Sequence, residues 1–215
     1  MNSKPQIIPA IVPRDFKELA DKLGRLEGLV EWAQIDIADG LFAPNITWEN
    51  APDLLQLDGK IKLEVHLMIE QPELYLAEWQ KVVDRIIVHP EATAQLPQIL
   101  KQLEHSPVKL GLALLLETPL ETLAPYFESV KLIQLMSIAK IGHQGEPFAP
   151  AALERVRRLR ELAPSVTISV DGGVSLENAQ ALVAAGADHL VIGSAIWQSG
   201  DVVKTINELK LIANS

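Results

Sequence analysis

Short runs of β-branched and aliphatic residues alternate along the chain with longer stretches whose apolar positions recur every three to four residues. The short runs predict eight strands, at Gln6–Val12, Trp32–Ile37, Lys62–Leu67, Arg85–Val88, Lys109–Leu115, Leu132–Met136, Thr167–Val170 and His189–Ile192. The longer stretches predict helices at Arg14–Leu26, Glu73–Val82, Gln95–Leu103, Leu120–Phe127, Ala151–Leu162, Leu176–Ala185 and Val202–Ile212, with a weaker one at Asn50–Leu57. In Ala151–Leu162 the apolar face is Leu153, Val156, Leu159 and Leu162, and the four arginines Arg155, Arg157, Arg158 and Arg160 are read as its solvated side.

Strand followed by helix, repeated, implies a parallel sheet with helices outside it. Eight such units in 215 residues fit an α/β protein folded as one (β/α)8 barrel over residues 1–215, because such barrels run to about 250 residues with a lower limit near 200. An open doubly wound sheet is the alternative, but no G-x-G-x-x-G follows the first strand. No linker, low-complexity segment or clean internal repeat divides the chain.

Charge narrows the partners. Nineteen Lys and Arg against 28 Asp and Glu leave a net charge of −9, and only 5% of residues are aromatic. That balance argues against nucleic acid, which needs basic patches and stacking platforms. An anion bound here must be held locally, by backbone N–H groups, a helix N-terminus or a cation. Cysteine is absent, which removes thiolate nucleophiles and sulfur-ligated zinc. Met1 to Pro9 lack a basic start followed by an apolar stretch, and no apolar run approaches the roughly 20 residues of a membrane span, so a cytoplasmic protein without membrane contact is expected.

In a barrel, chemistry sits at the C-terminal strand ends. The second strand ends Gln34-Ile35-Asp36-Ile37-Ala38-Asp39-Gly40, and a period of two puts Gln34 and Asp36 on one side. If Ile35 and Ile37 face the helices, Asp36 points inward, where a carboxylate needs a cation, a proton or donors. Asp39-Gly40 reads as a turn. Glu64 and His66 share a side of the third strand; an inward histidine serves either as a core hydrogen-bonding group or as a ligand. The seventh strand ends in Asp171-Gly172-Gly173 and the eighth opens through Gly193-Ser194 toward a helix. Loops after strands seven and eight are the recurrent phosphate site of barrel enzymes, so Gly172, Gly173, Gly193 and Ser194 are candidate backbone donors to a phosphate.

The chain resembles the ribulose-phosphate 3-epimerase family over nearly its whole length. The resemblance rests on Ile8-Pro9-Ala10-Ile11 with Asp15-Phe16, Asp36-Ile37-Ala38-Asp39-Gly40-Leu41-Phe42-Ala43-Pro44-Asn45, Val65-His66-Leu67-Met68-Ile69 and Val88-His89 with Glu91. It continues through Leu135-Met136-Ser137, Val170-Asp171-Gly172-Gly173, and Ala185-Gly186-Ala187-Asp188 leading to Gly193-Ser194-Ala195-Ile196. It implies metal-assisted epimerisation beside the ketone of a pentulose 5-phosphate, with Asp36 and Asp171 as acid and base, and Met68 and Met136 lining the site. Inversion needs one group on each face of the carbon, so a pair of carboxylates suits it.

Three departures accompany the resemblance. Gln34 stands where the family has a metal-binding histidine, so the expected ligand set is Asp36, His66 and Asp171, with or without Gln34, around manganese, zinc, iron or magnesium. Pro13 replaces a substrate-contacting serine and offers neither hydroxyl nor N–H. The loop after strand six reads Ala139-Lys140-Ile141-Gly142-His143-Gln144-Gly145-Glu146-Pro147-Phe148; Gly142 and Gly145 keep it suited to closing on a phosphate, and it brings in Lys140 and His143. Lys140 is a phosphate contact, a replacement for the metal's charge, an exposed lysine or a Schiff-base amine. The expected activity is therefore a phosphosugar epimerase, interconverting ribulose and xylulose 5-phosphates or a close analogue, in a protein able to form homo-oligomers. The alternatives are another phosphosugar aldolase, isomerase or decarboxylase using Lys140, or a non-catalytic phosphosugar-binding protein.

Overall fold

In the computed structural model, which describes residues 4–213, eight parallel strands close into a barrel in chain order. They are β1 (Gln6–Ile11), β2 (Trp32–Ala38), β3 (Lys62–Met68), β4 (Arg85–Val88), β5 (Lys109–Leu114), β6 (Leu132–Met136), β7 (Thr167–Asp171) and β8 (His189–Ile192). β1 pairs with β2 on one side and with β8 on the other, which seals the ring and leaves no edge strand. The helices are α1 (Phe16–Leu26), α2 (Leu76–Trp79), α3 (Leu96–Leu103), α4 (Ala151–Leu162), α5 (Ala179–Ala185), α6 (Ser194–Trp197) and α7 (Val202–Ala213). Asp15 caps α1 by accepting a hydrogen bond from the Glu18 N–H at 2.8 Å, so that helix starts two residues later than its apolar period.

Three predicted helices are shorter or tighter than their periodicity. Glu73–Val82 resolves into a 3-10 turn at Pro72–Leu74 followed by the single turn of α2, and Leu120–Phe127 and Asn50–Leu57 are 3-10 segments at Leu120–Tyr126 and Ala51–Gln56. Proline explains each departure. Pro72 and Pro52 stand in the first turn, and Pro125 lies inside its segment, where the missing N–H and the ring deny α-helical continuation.

Two populations of side chains alternate along the strands. Ile35, Ile37, Val65, Leu67, Leu112, Ile133, Val170 and their like point outward and form one large apolar cluster with the helices. The inward set is Gln34 and Asp36 on β2, Glu64 and His66 on β3, and Gln134 and Met136 on β6, with small clusters such as Ile8, Ala10 and Val191 between them. Gly111 of β5 belongs to the inward set because a Cβ there would lie 2.7 Å from Leu132 Cδ2.

The arginines of α4 are not all solvated. Arg157 and Arg158 are, each in an exposed ion pair with a glutamate three residues away. Arg155 instead donates to the carbonyls of Leu115 and Thr118, and Arg160 donates to Gly186 O, Val166 O and the Asp188 carboxylate, tying α4 to three connections of the barrel. Their aliphatic stems lie along the helix while the guanidinium heads reach carbonyls that only the tertiary fold brings near. No helix among the described residues is long and apolar enough to cross a membrane.

Candidate active site

Register places the inward polar residues at two successive levels, with Asp36, His66 and Asp171 at the barrel mouth and Gln34 and Glu64, paired across β2–β3, one step below. Asp36 is directly opposite His66 across β2–β3, and Met136 is opposite Asp171 across β6–β7. The imidazole Nδ1 of His66 lies 3.2 Å from Asp36 Oδ1 and 3.4 Å from Asp171 Oδ2. Two side-chain amides complete the group. Gln34 Nε2 donates to Asp36 Oδ1 at 2.7 Å and to Asp171 Oδ2 at 2.9 Å, and Gln134 Nε2 donates to the same Asp171 oxygen at 2.9 Å.

All five side chains are buried, so the low dielectric magnifies every charge among them. Burial pushes the Asp36 carboxyl upward, opposed by its hydrogen bond to His66. Burial alone would depress His66, but its hydrogen bonds to Asp171 and Asp36 outweigh it and raise the imidazole to about 9. On its far side His66 Nε2 meets His89 Nε2 at 2.9 Å, and His89 Nδ1 faces Glu91 Oε2 at 3.5 Å. Burial holds His89 down to about 4, which makes it the neutral acceptor for an Nε2–H of His66. Burial works against the Glu91 charge as well, but the His89 ring 3.5 Å away and hydrogen bonds from Thr118 and the Leu115 N–H hold its carboxyl down to about 2.

Asp36, His66 and Asp171 each bring one ligand atom within 4.8 Å of the others, a convergence able to hold one metal ion. Two carboxylate oxygens with one imidazole nitrogen suit manganese, iron, magnesium or zinc. Gln34 reaches the same point with its amide, whose Oε1 end is buried without a hydrogen-bond partner.

Above the carboxylates lies a cavity of about 40 Å³, lined by Met68, Met136, Gly172, Gly173, Gly193 and Ser194 and roofed by the loop carrying Gly142, His143, Gln144, Gly145 and Glu146. That is space for a few water molecules, so a sugar phosphate requires the roof to lift. Asn45 Nδ2 holds the roof by donating to Gly142 O at 2.9 Å, and Gln144 Nε2 donates to Ala10 O at 3.2 Å. Gly173 has φ +64, and a Cβ on it would lie 2.6 Å from the Phe148 amide nitrogen, so only glycine lets strand end and loop approach this closely. Over Gly193 the corresponding space is filled by the Gln144 amide, 2.7 Å from where a Cβ would be. Lys140 is exposed and does not line the cavity. Pro13 is buried just beyond β1.

Gln134, His89 and Gln144 join this region although the sequence assigns none of them a role in the site, His89 entering only through the family resemblance. Gln134 was open to the same parity argument as Asp36, since it alternates with Leu132 and Met136 in an otherwise apolar strand. His89 stands one residue past β4, and Gln144 lies in a loop without periodicity.

The profile of the Ribulose-phosphate 3 epimerase family matches residues 6–197. The chain belongs to the ribulose-phosphate 3-epimerase family. Relatives named ribulose-phosphate 3-epimerase include one from Bacillus subtilis, 32% identical over 95% of this chain and 98% of its own length. Another, from Synechocystis, is 33% identical over 96% and 93%, and a chloroplastic ribulose-5-phosphate-3-epimerase of Arabidopsis thaliana is 32% identical over 97% and 78%. Among solved structures the same barrel recurs in a tryptophan synthase alpha-subunit from Pyrococcus furiosus, with a TM-score of 0.71 at 15% identity over 99% of this chain and 97% of that one. Orotidine 5'-monophosphate decarboxylase from Sulfolobus solfataricus gives a TM-score of 0.64 at 16% identity, covering 98% of both chains. Those two likenesses concern the fold; family membership rests on the epimerases.

Proposed function

We propose that this chain epimerises a pentulose 5-phosphate, interconverting D-ribulose 5-phosphate and D-xylulose 5-phosphate or a close analogue, with Asp36 and Asp171 as the acid and base. The observation that carries the reading is a pair of buried carboxylates, one on β2 and one on β7, converging at the barrel mouth beneath a glycine-rich roof. Starting with one carboxylate ionised and the other protonated, the first removes the proton from the carbon beside the ketone. The C–H electron pair becomes the carbon–carbon double bond of an enediolate as the carbonyl π pair moves onto its oxygen; that pair then re-forms the carbonyl while the double-bond pair takes a proton from the second group on the opposite face. Net change in atoms and charge is zero, and the two aspartates exchange protonation states.

A divalent cation held by Asp36, His66 and Asp171 would supply positive charge opposite the enediolate oxygens. Within the protein, the amides of Gln34 and Gln134 orient the carboxylates, and His89, backed by Glu91, orients His66. Met68 and Met136 give the reacting carbon an apolar wall. The backbone around Gly172, Gly173, Gly193 and Ser194 is the proposed phosphate seat, with Gly142 and Gly145 in the covering loop. An exposed Lys140 favours an outer role over Schiff-base chemistry, since an amine forming an imine must meet the carbonyl beside the carboxylates.

Incubation of the purified protein with ribulose 5-phosphate in deuterium oxide tests this reading. The expected result is xylulose 5-phosphate carrying deuterium at the inverted carbon. Binding without exchange in the presence of manganese, zinc, iron or magnesium overturns it in favour of a non-catalytic phosphosugar-binding protein, and a borohydride-trapped lysine adduct overturns it in favour of an aldolase.

A further inference from the structure

The two amides at the mouth differ in how they are anchored. Gln134 Oε1 faces the Ser169 hydroxyl at 3.4 Å, which fixes its Nε2 toward Asp171 Oδ2. Gln34 has no such anchor: its Oε1 is buried without a partner, while both hydrogens of its Nε2 are engaged, one by Asp36 and one by Asp171. Two carboxylates this close repel each other and pay for desolvation unless positive charge or donors stand between them. In this chain the His66 imidazole faces both, at 3.2 and 3.4 Å, and the Gln34 amide donates to both, at 2.7 and 2.9 Å, with its nitrogen 3.5 Å from His66 Nδ1. A half-turn about the last bond of Gln34 would exchange those donors for an oxygen at the same point, which is the atom a hard cation accepts.

We propose that Gln34, seconded by Gln134, holds the carboxylate pair together in the absence of a cation and swivels to offer Oε1 when one arrives. A divalent ion is then an exchangeable ligand of this site rather than part of what holds the mouth in shape. Gln34 serves as a positioning residue acting through Asp36 and Asp171. The proposal builds on the reading of Asp36, His66 and Asp171 as the place where a cation binds, but its consequences are read in metal content and stability, not in turnover.

The test compares wild type, Gln34→Leu and Gln34→His, each dialysed against EDTA, by metal analysis and by thermal melting with and without Mn2+. Wild type should lose its metal to the chelator with only the small fall in melting temperature that a weakly held ion gives, well short of the fall in Gln34→Leu. Gln34→Leu removes two buried hydrogen bonds and leaves His66 alone to hold the two carboxyl groups, so its metal-free form should melt about 5 °C lower and recover on adding Mn2+. Gln34→His, which replaces the swivelling amide with a fixed nitrogen ligand, should retain metal through dialysis against EDTA. The proposal is overturned if wild type keeps one equivalent of metal against EDTA, if its melting temperature falls on chelation as far as that of Gln34→Leu, or if Gln34→Leu melts like wild type without metal. Should Gln34→Leu fail to fold even with Mn2+, the Gln34→His pair decides: metal retained supports the swivel, metal lost to EDTA as readily as from wild type overturns it. Loss of the deuterium exchange described above would sink the epimerase reading and leave these three measurements standing.

Discussion

The three buried carboxylates that point into this barrel meet very different company at its mouth and deeper inside it. At the mouth, Asp36 and Asp171 are held by neutral amides and one imidazole. At the floor, Glu64 on β3, two residues before His66, is met by the Arg85 guanidinium at 2.5 Å, which in turn lies 4.1 Å from the centre of the Trp32 ring. The floor spends a formal charge on neutralisation, yet leaves Glu64 Oε1, His189 Nδ1 and Gln6 Oε1 buried without hydrogen-bond partners. The mouth leaves its carboxylates bridged by groups that can turn away or be displaced. A fixed counter-charge makes a carboxylate structural; movable donors keep it available for proton transfer.

The sharpest way to break this comparison is to remove one charge at each end. Asp36→Asn and Asp171→Asn should each lower the epimerisation rate by about 10²–10⁴-fold while changing the melting temperature little, because asparagine keeps an oxygen for the Gln34 amide and His66 still faces the remaining carboxyl group. If either variant unfolds instead, the mouth is structural as the floor is. Arg85→Leu should do the reverse: at pH 8 urea unfolding should show a loss of about 3 kcal/mol, with little effect on turnover by the remaining folded protein, since Glu64 is left buried and uncompensated. Burial, opposed by Arg85, raises Glu64 to about 7, so between its unfolded value of 4.5 and 7 the folded state keeps a proton that the unfolded state has lost. This contribution is most favourable below pH 4.5 and declines as pH rises through 7, so the Arg85→Leu deficit should shrink at pH 5. A deficit independent of pH would assign it to lost packing on Trp32.

Gly173→Ala should sharpen the role of the roof. Its side chain must occupy a left-handed backbone conformation and meet the Phe148 backbone, at a cost of about 1–3 kcal/mol, read as a lower melting temperature together with a raised KM for the sugar phosphate. A changed melting temperature with an unchanged KM would place the phosphate elsewhere. The smallest effect is expected at the floor, from His189→Gln. Burial first, and the neighbouring Arg85 charge second, lower His189 from 6.5 to about 4. In that interval the unfolded state binds a proton that the folded state refuses, so stability falls as pH drops from 6.5 toward 4. The variant should lose less stability than wild type over that range and match it near pH 7; parallel curves would show that His189 does not contribute to acid sensitivity.

Much of this barrel was legible because strand parity is a local property. Knowing only that Ile35 and Ile37 are apolar was enough to turn Gln34 and Asp36 to the other side, and a closed barrel turns that side inward. The order and spacing of the Asp36, His66 and Asp171 segments carried the family resemblance for the same reason, since each segment is one strand with the loop that follows it. Gln134 obeyed the same rule and was passed over because a single glutamine in an apolar strand announces no chemistry until its neighbours are known. The arginines of α4 ran the other way: periodicity gives the direction of a side chain's stem, and only the packed connections showed that Arg155 and Arg160 end on carbonyls.

What the residues determined by themselves was therefore everything with a short range: the alternation of strands and helices, the faces of β2 and β3, the prolines that tighten three helices, and the absence of any thiol ligand. What only the tertiary structure decided was distance between strands remote in sequence. Gln34 and Asp171 are 137 positions apart, and no pattern in the chain states that an amide nitrogen of one lies 2.9 Å from a carboxylate oxygen of the other. Barrel closure brings them together, and because electrostatic and hydrogen-bond energies change steeply over a few tenths of an ångström in a buried site, that closure sets whether two carboxylates are bridged by a metal, by a proton or by an amide.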